Sequence, residues 1–263
     1  MSILQAIILG IVQGLTEFIP VSSSGHLALG KLFFGLEEEG LGLLFIVVVH
    51  VGTLVPVFVV FRKEIWALIR RPFQKTTFLL IVATIPAVIT GLLLEDRIEQ
   101  ALSTLSVLAI GFVLTGGVLI LSDKMRQGTK KEGDITWLDA ALIGIAQAVA
   151  VFPGISRSGS TISAALARGI TREDAAKFVF LMSIPVILGA TVLQIIHIAR
   201  GNISAYELDF AVLGAGFVSS ALSGYLAVNF LLAAIKKKKL RYFAYYVLVL
   251  AAVLIFGMIA FNW

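Results

Sequence analysis

At 263 residues the chain could hold one or two domains, but hydrophobic residues make up 59% of it and charged residues 14%, against roughly 45–50% and about 25% in a soluble protein. A mean hydropathy of +0.99 excludes an ordinary soluble domain, and it excludes disorder, which requires low hydrophobicity and high net charge. The absence of cysteine excludes disulfides, thiolate chemistry and cysteine-held metal centres, and the net charge of +5 speaks of membrane topology rather than of nucleic acid.

Two kinds of apolar stretch alternate along the chain. The first, 3–36, is broken at its middle by Pro20-Val21-Ser22-Ser23-Ser24-Gly25-His26, and each half is short for a crossing of about 17–25 residues. It lacks the basic start of a signal peptide, since the first basic residue is Lys31 and Gln13 and Glu17 interrupt it. Apolar runs at 41–61, 78–94 and 104–122 follow and read as full spans. The stretch 137–167 is again broken, at Pro153-Gly154-Ile155-Ser156-Arg157-Ser158-Gly159-Ser160-Thr161, and three more spans follow at 178–199, 210–234 and 242–261. Both broken stretches are expected to be re-entrant hairpins, because irregular backbone at membrane depth needs protein or a wet cavity around it.

The charges agree with that threading. Seventeen of the 21 basic residues fall in 62–77, 123–136, 168–177 and 236–241, while the alternate loops are acidic, with Glu37, Glu38, Glu39, Glu95, Asp96, Glu99, Glu207 and Asp209. The positive-inside rule puts the basic loops in the cytoplasm and both termini outside, provided the broken stretches do not cross. The run Lys236–Lys239 reads as an anchor on anionic headgroups.

The halves of the chain match at a constant offset of 134. Gly10 and Gln13 align with Gly144 and Gln147, Phe18 with Phe152, and Ser22, Ser24 and Gly25 with Ser156, Ser158 and Gly159. The expected fold is an all-α polytopic membrane protein, one membrane domain over 1–263. It is built of two repeats, 1–130 and 135–263, each a hairpin plus three spans. Three spans are an odd number, so the second repeat enters inverted, an architecture known among transporters.

Chemistry is expected where the repeats differ. Glu17 matches Val151, Arg157 matches Ser23, and His26 matches Ser160. A carboxylate and a guanidinium at membrane depth are a functional site by default. Gln13 and Glu17, four apart, share a helical face. Ser22, Ser23 and Ser24 would set hydroxyls and free backbone N–H groups at a helix start, an arrangement that binds phosphate. Ser156, Arg157, Ser158 and Thr161 read as an anion clamp around planar guanidinium donors. Ser23 and His26, three apart, suit either a serine nucleophile with a histidine base or direct attack by the imidazole. His50 and His197, on apolar spans, read as packing or interfacial residues. The set suggests phosphoryl transfer; a carrier of anionic lipid or phosphate is the other reading the inverted repeat allows.

The run from Gln13 to His26 and the run from Pro153 to Thr161 resemble the two signatures of the bacterial undecaprenyl-diphosphatase (bacitracin-resistance) family. The first of these has Glu or Gln, three residues, then Glu, with Ser and His nearby; the second is Pro-Gly-x-Ser-Arg-Ser-x-x-Thr, matched here without a gap. The resemblance spans nearly the whole chain. It implies an enzyme of the bacterial inner membrane, its site open to the outer face. The implied reaction takes undecaprenyl diphosphate to the monophosphate and inorganic phosphate, recycling the lipid carrier of peptidoglycan and other envelope polymers. By position it places functional residues at Gln13, Glu17, Ser23, His26, Ser156, Arg157 and Thr161. It also implies a divalent cation, Mg2+ or Ca2+. With Gln13 in the first acidic position one carboxylate remains, so the cation is expected at Glu17 together with the diphosphate.

Overall fold

The computed structural model describes residues 1–36, 43–199, 209–237 and 239–261. The acidic loop Glu37–Glu39, Arg200, Glu207 and Lys238 lie outside them, as does the side chain of His197. Every regular element among the described residues is helical. In chain order these are α1 (Ile3–Phe18), α2 (Ser23–Phe33), α3 (Leu43–Val60), α4 (Arg62–Arg70), α5 (Lys75–Leu93) and α6 (Glu95–Leu102). Then come α7 (Leu105–Lys124), α8 (Trp137–Val149), α9 (Arg157–Ala167), α10 (Arg172–Ala199), α11 (Phe210–Lys236) and α12 (Leu240–Phe261).

Five of these, α5, α7, α10, α11 and α12, are long and apolar enough to cross a bilayer. Helix α3 makes a sixth when counted with α4, which leaves it at 87°. Within 62–77, expected as a basic loop, Arg62–Arg70 is instead an amphipathic helix. Its Ile65 is buried, Trp66 and Ile69 are exposed, and the Arg70 guanidinium lies 5.0 Å from the Trp66 ring centroid. Apolar and cationic side chains on one short helix beside a span are what an interfacial position selects.

Helices α1 and α8 have 16 and 13 residues, about 24 and 20 Å at 1.5 Å per residue, short of a hydrocarbon core of roughly 30 Å. Each stops at its broken motif, and α2 packs back on α1 as α9 does on α8. The break in the second hairpin is satisfied by α7: the Ser156 N–H donates to Thr115 Oγ1 at 2.9 Å, and the Thr115 hydroxyl donates to the Gly154 carbonyl at 3.0 Å. Gly154 turns there with φ +81, a conformation that glycine adopts without steric cost.

Packing partners are reciprocal under the offset of 134. Helix α1 packs on α11 and its counterpart α8 on α5; α3 packs on α10, and α7 on α12. Small residues permit the approach, as in membrane bundles generally. A Cβ at Gly14 would stand 2.3 Å from the Ser220 carbonyl oxygen of α11, and one at Gly144 would stand 2.7 Å from the Ala83 carbonyl oxygen of α5. Beneath the hairpin tips a core forms around Phe18, Phe61 and Phe180, with ring centroids 5.6 Å apart for Phe18–Phe180 and 5.4 Å for Phe61–Phe180.

Candidate active site

Both hairpin tips point the starts of their second helices, α2 and α9, at one cavity of about 280 Å³. The tips are capped alike. Ser22 Oγ accepts from the Gly25 N–H at 3.4 Å and lies 3.3 Å from Ser24 Oγ; Ser156 Oγ accepts from the Gly159 N–H at 3.1 Å and lies 3.2 Å from Ser158 Oγ. Two helix N-termini facing one space favour an anion through their free N–H groups and aligned dipoles.

Glu17 is the centre of the charged set. It is 6% exposed, and its two oxygens are shared out. Oε1 accepts from Arg157 Nη2, and Oε2 accepts from the Ser23 hydroxyl at 2.7 Å and from Gln13 Nε2 at 3.0 Å. Glu17 and Arg157 come from different hairpins, so this ion pair ties the tips together. A buried pair holds its geometry only when its other lone pairs are satisfied, and here hydrogen bonds from Ser23 and Gln13 do so.

The structure thus brings Glu17, Ser23 and Arg157 into contact, with Ser22, Ser24 and Ser156 in the cavity wall. It places Gln13, Ser158 and Thr161 behind that wall. Gln13 is fully buried against Glu17, Ser158 bonds Ser156, and the Thr161 hydroxyl donates to the Arg157 carbonyl at 2.7 Å. These three shape the residues that face the cavity.

His26 stands apart from Ser23. Three residues are about 300° of helix, which leaves roughly 60° between them. Although that angle is small, the imidazole lies outside the cavity, against Phe112 of α7 and Tyr246 of α12. Its Nδ1 lies 2.7 Å from the Ser22 carbonyl oxygen and its Nε2 lies 2.8 Å from Tyr246 Oη. The carbonyl fixes the proton on Nδ1, so Nε2 accepts from the Tyr246 hydroxyl. The ring stacks on Tyr246 and meets Phe112 edge-on. Among the described residues Ser22 alone of the non-glycines has a positive φ, +72, a strained state that its surroundings must enforce. The His26 imidazole bonds the Ser22 carbonyl at this turn, and the next residue, Ser23, meets Glu17. Tyr246→Phe should therefore lower kcat about two- to tenfold, the worth of one hydrogen bond, with KM nearly unchanged. Steady-state turnover in detergent reads this; an unaltered kcat would leave Tyr246 with no part in the site.

His50 corrects the reading of it as a packing residue. It lines the cavity, with Nδ1 2.8 Å from the Ile46 carbonyl oxygen and Nε2 3.9 Å from Glu17 Oε2. Its proton thus sits on Nδ1, and Nε2 is left toward the cavity. Gln147, the counterpart of Gln13, also lines the cavity; its Nε2 donates to the Ala83 carbonyl at 3.2 Å.

For a divalent cation the donor set falls short. No group of three or more His, Asp or Glu side chains among the described residues is arranged for a metal, and both Glu17 oxygens already accept hydrogen bonds. One engaged carboxylate does not make a resident ion site, which takes several oxygen ligands.

Known proteins share this layout in sequence. The model of the bacitracin resistance protein BacA family matches residues 6–253. An undecaprenyl-diphosphatase of Carboxydothermus hydrogenoformans is 46% identical over 255 residues, 97% of each chain. Undecaprenyl-diphosphatase 4 of Bacillus thuringiensis subsp. konkukian is 48% identical over 247 residues, 94% of each. An undecaprenyl-diphosphatase of Rubrobacter xylanophilus is 41% identical over 266 residues, 96% of this chain and 97% of that protein. With a family model covering nearly its whole length and relatives this close, the chain belongs to the bacitracin resistance protein BacA family.

Proposed function

We propose that this membrane protein hydrolyses undecaprenyl diphosphate to undecaprenyl phosphate and inorganic phosphate, the step that returns a lipid carrier to envelope polymer synthesis. The names of its relatives support the substrate. The observation that carries the chemistry is the Ser23 hydroxyl donating to Glu17 beside Arg157, at two convergent helix N-termini. A carrier needs an anion clamp but no hydroxyl held on a buried carboxylate.

In the resting site Arg157 holds Glu17 as an ion pair. An entering diphosphate offers Arg157 phosphate oxygens that match its planar donors. The guanidinium passes from carboxylate to substrate, which frees a Glu17 oxygen beside the Ser23 hydroxyl as its proton is removed. Ser23 Oγ attacks the terminal phosphorus, the bond to the bridging oxygen breaks, and the lipid monophosphate leaves. Water then cleaves the phosphoserine, with His50 Nε2 in the cavity to take its proton. His26 holds the Ser22 turn and does not touch the reacting atoms. A divalent cation would be held by the diphosphate oxygens beside Glu17 rather than by the protein alone, and would neutralise charge on the phosphates. Purified protein given undecaprenyl diphosphate should release phosphate, and a chelator should stop turnover while leaving thermal unfolding in place. Movement of the lipid between leaflets with no phosphate released would make it a transporter instead; unfolding on chelation would restore a resident ion.

The cavity draws its lining from the halves of α3, α5 and α10 remote from the basic loops, through His50, Ala87 and Val186–Gln194. With those loops cytoplasmic, the site opens toward the outer face of the bacterial inner membrane. The reciprocal helix packing supports the inverted repeats. Single cysteines at Arg71 and Glu99, in a chain that has none of its own, should label from opposite sides, Arg71→Cys from the cytoplasm. Labelling of both from one side overturns this topology.

A further inference from the structure

At the hairpin tips the catalytic cavity is lined by serines and the Glu17–Arg157 pair, which suit phosphates, while Val186, Ile187 and Ala190 of α10 line its other side. A second cavity of about 310 Å³ adjoins it, and Ser24, Ile46 and His50 line both. Along α2, Ser24, Leu27, Ala28, Lys31 and Leu32 line this second space at steps of three and four, so they form one face of the helix. From Ser24 to Leu32 that face runs about 12 Å. Leu102 and Leu105, where α6 gives way to α7, stand across from it. Leu27 is buried, whereas Leu32 and Leu102 are exposed, so the cavity has an interior floor and an open far end. Among its described lining residues Lys31 is the sole lysine, arginine or carboxylate, two helical turns along α2 from Ser24.

A strip of leucine that is uncovered among the described residues and begins beside the Ser22–Ser24 cluster fits a branched hydrocarbon joined to a phosphate. The donors take the charged end, and the strip removes the adjoining methyl branches from water or lipid without requiring any donor. We infer that this second cavity seats the first isoprene units of a polyprenyl diphosphate whose phosphates lie between Ser23 and Arg157. The inference rests on the diphosphatase reading and adds the part of the lipid that the protein recognises. A space of this size holds only the start of an undecaprenyl chain, so the remainder stays in the bilayer and goes unread.

Chain-length dependence tests this. Across dimethylallyl, farnesyl and undecaprenyl diphosphates, kcat/KM should rise at least about tenfold from the first to the second, in keeping with the worth of added apolar contacts in a pocket, and then level off. Ala28→Phe, which narrows the cavity, should erase most of that rise. Leu32→Gln, an exposed position that adds no bulk, should erase part of it. A farnesyl substrate no better than dimethylallyl, a steady rise through undecaprenyl, or variants that lower all three substrates equally would overturn the seat. A second measurement stands free of turnover: a farnesyl diphosphate with a photoreactive group in its first isoprene units should label 24–32 and 102–105. Label confined to other segments overturns the seat even if phosphate is released. Label at these segments without any phosphate released would sink the diphosphatase reading and leave the seat in place.

Discussion

Replacing Ser23 with alanine should cut phosphate release by at least about a thousandfold, while a polyprenyl diphosphate still binds with little change. Loss of a nucleophile costs this much or more where it acts in concert with its base, whereas the anion-binding elements stay in place: Arg157, the serine caps and the two helix starts. Affinity for a slowly turned-over diphosphate analogue, measured beside turnover, separates the two effects. In the unaltered protein, acid quenching during turnover should trap phosphate on Ser23. An acid-labile, base-stable phosphate on a histidine would move the nucleophile to an imidazole. A Ser23→Ala protein that kept a tenth of the activity would leave water as the attacking group. Glu17→Gln should fall nearly as far, because the Ser23 hydroxyl then loses its proton acceptor.

Arg157→Lys should lower kcat by about a hundred- to a thousandfold, the usual cost of removing a positioned donor to charge that develops on the transferred group. Charge alone does not preserve function here. The ammonium keeps the charge but loses the planar fork that binds two phosphate oxygens, and its shorter reach weakens the tie to Glu17 on the facing hairpin. Chemistry should suffer more than binding, so kcat should drop more than KM rises. A lysine variant within a few fold of the parent would reduce Arg157 to a general counter-charge. Structural damage is separable, since loss of the Glu17 tie should also lower the thermal unfolding temperature.

The sequence shows the spans and broken hairpins because lipid imposes its terms locally: a crossing must be long and apolar, and a break must carry serine, glycine and proline. Glu17 and Arg157 stand out for the same reason, as charges where charge is costly. What it hides is anything set by contact between distant elements. His50 touches Glu17 from another helix, and its own neighbours are apolar, so it reads as packing. Tyr246 lies among Tyr242 and Tyr245, where an aromatic belt is the ordinary expectation, and its bond to His26 links positions 220 residues apart. Ser23 and His26 suggest a pair by spacing, yet the direction each faces depends on the φ of Ser22, which no pattern announces. Helix α4 was hidden by its basic residues, although Ile65, Trp66 and Ile69 carry an amphipathic spacing.

Embedding α1 in α11 bears on how the protein is made. Glu17 is synthesised 140 residues before Arg157, and the helix that closes on Gly14 comes later still. Until α11 has left the ribosome, the first hairpin has no packing surface for its glycine face. Until the second hairpin follows it into the membrane, its buried carboxylate has no counter-charge. The early half of the chain must therefore wait at the translocon or in lipid without the ion pair that ties its tip to the second hairpin. Tyr246, on the last helix, fixes His26 only at the end of synthesis. Catalytic competence thus arrives late, and a chain cut short before α11 carries every serine of the first tip without an assembled site.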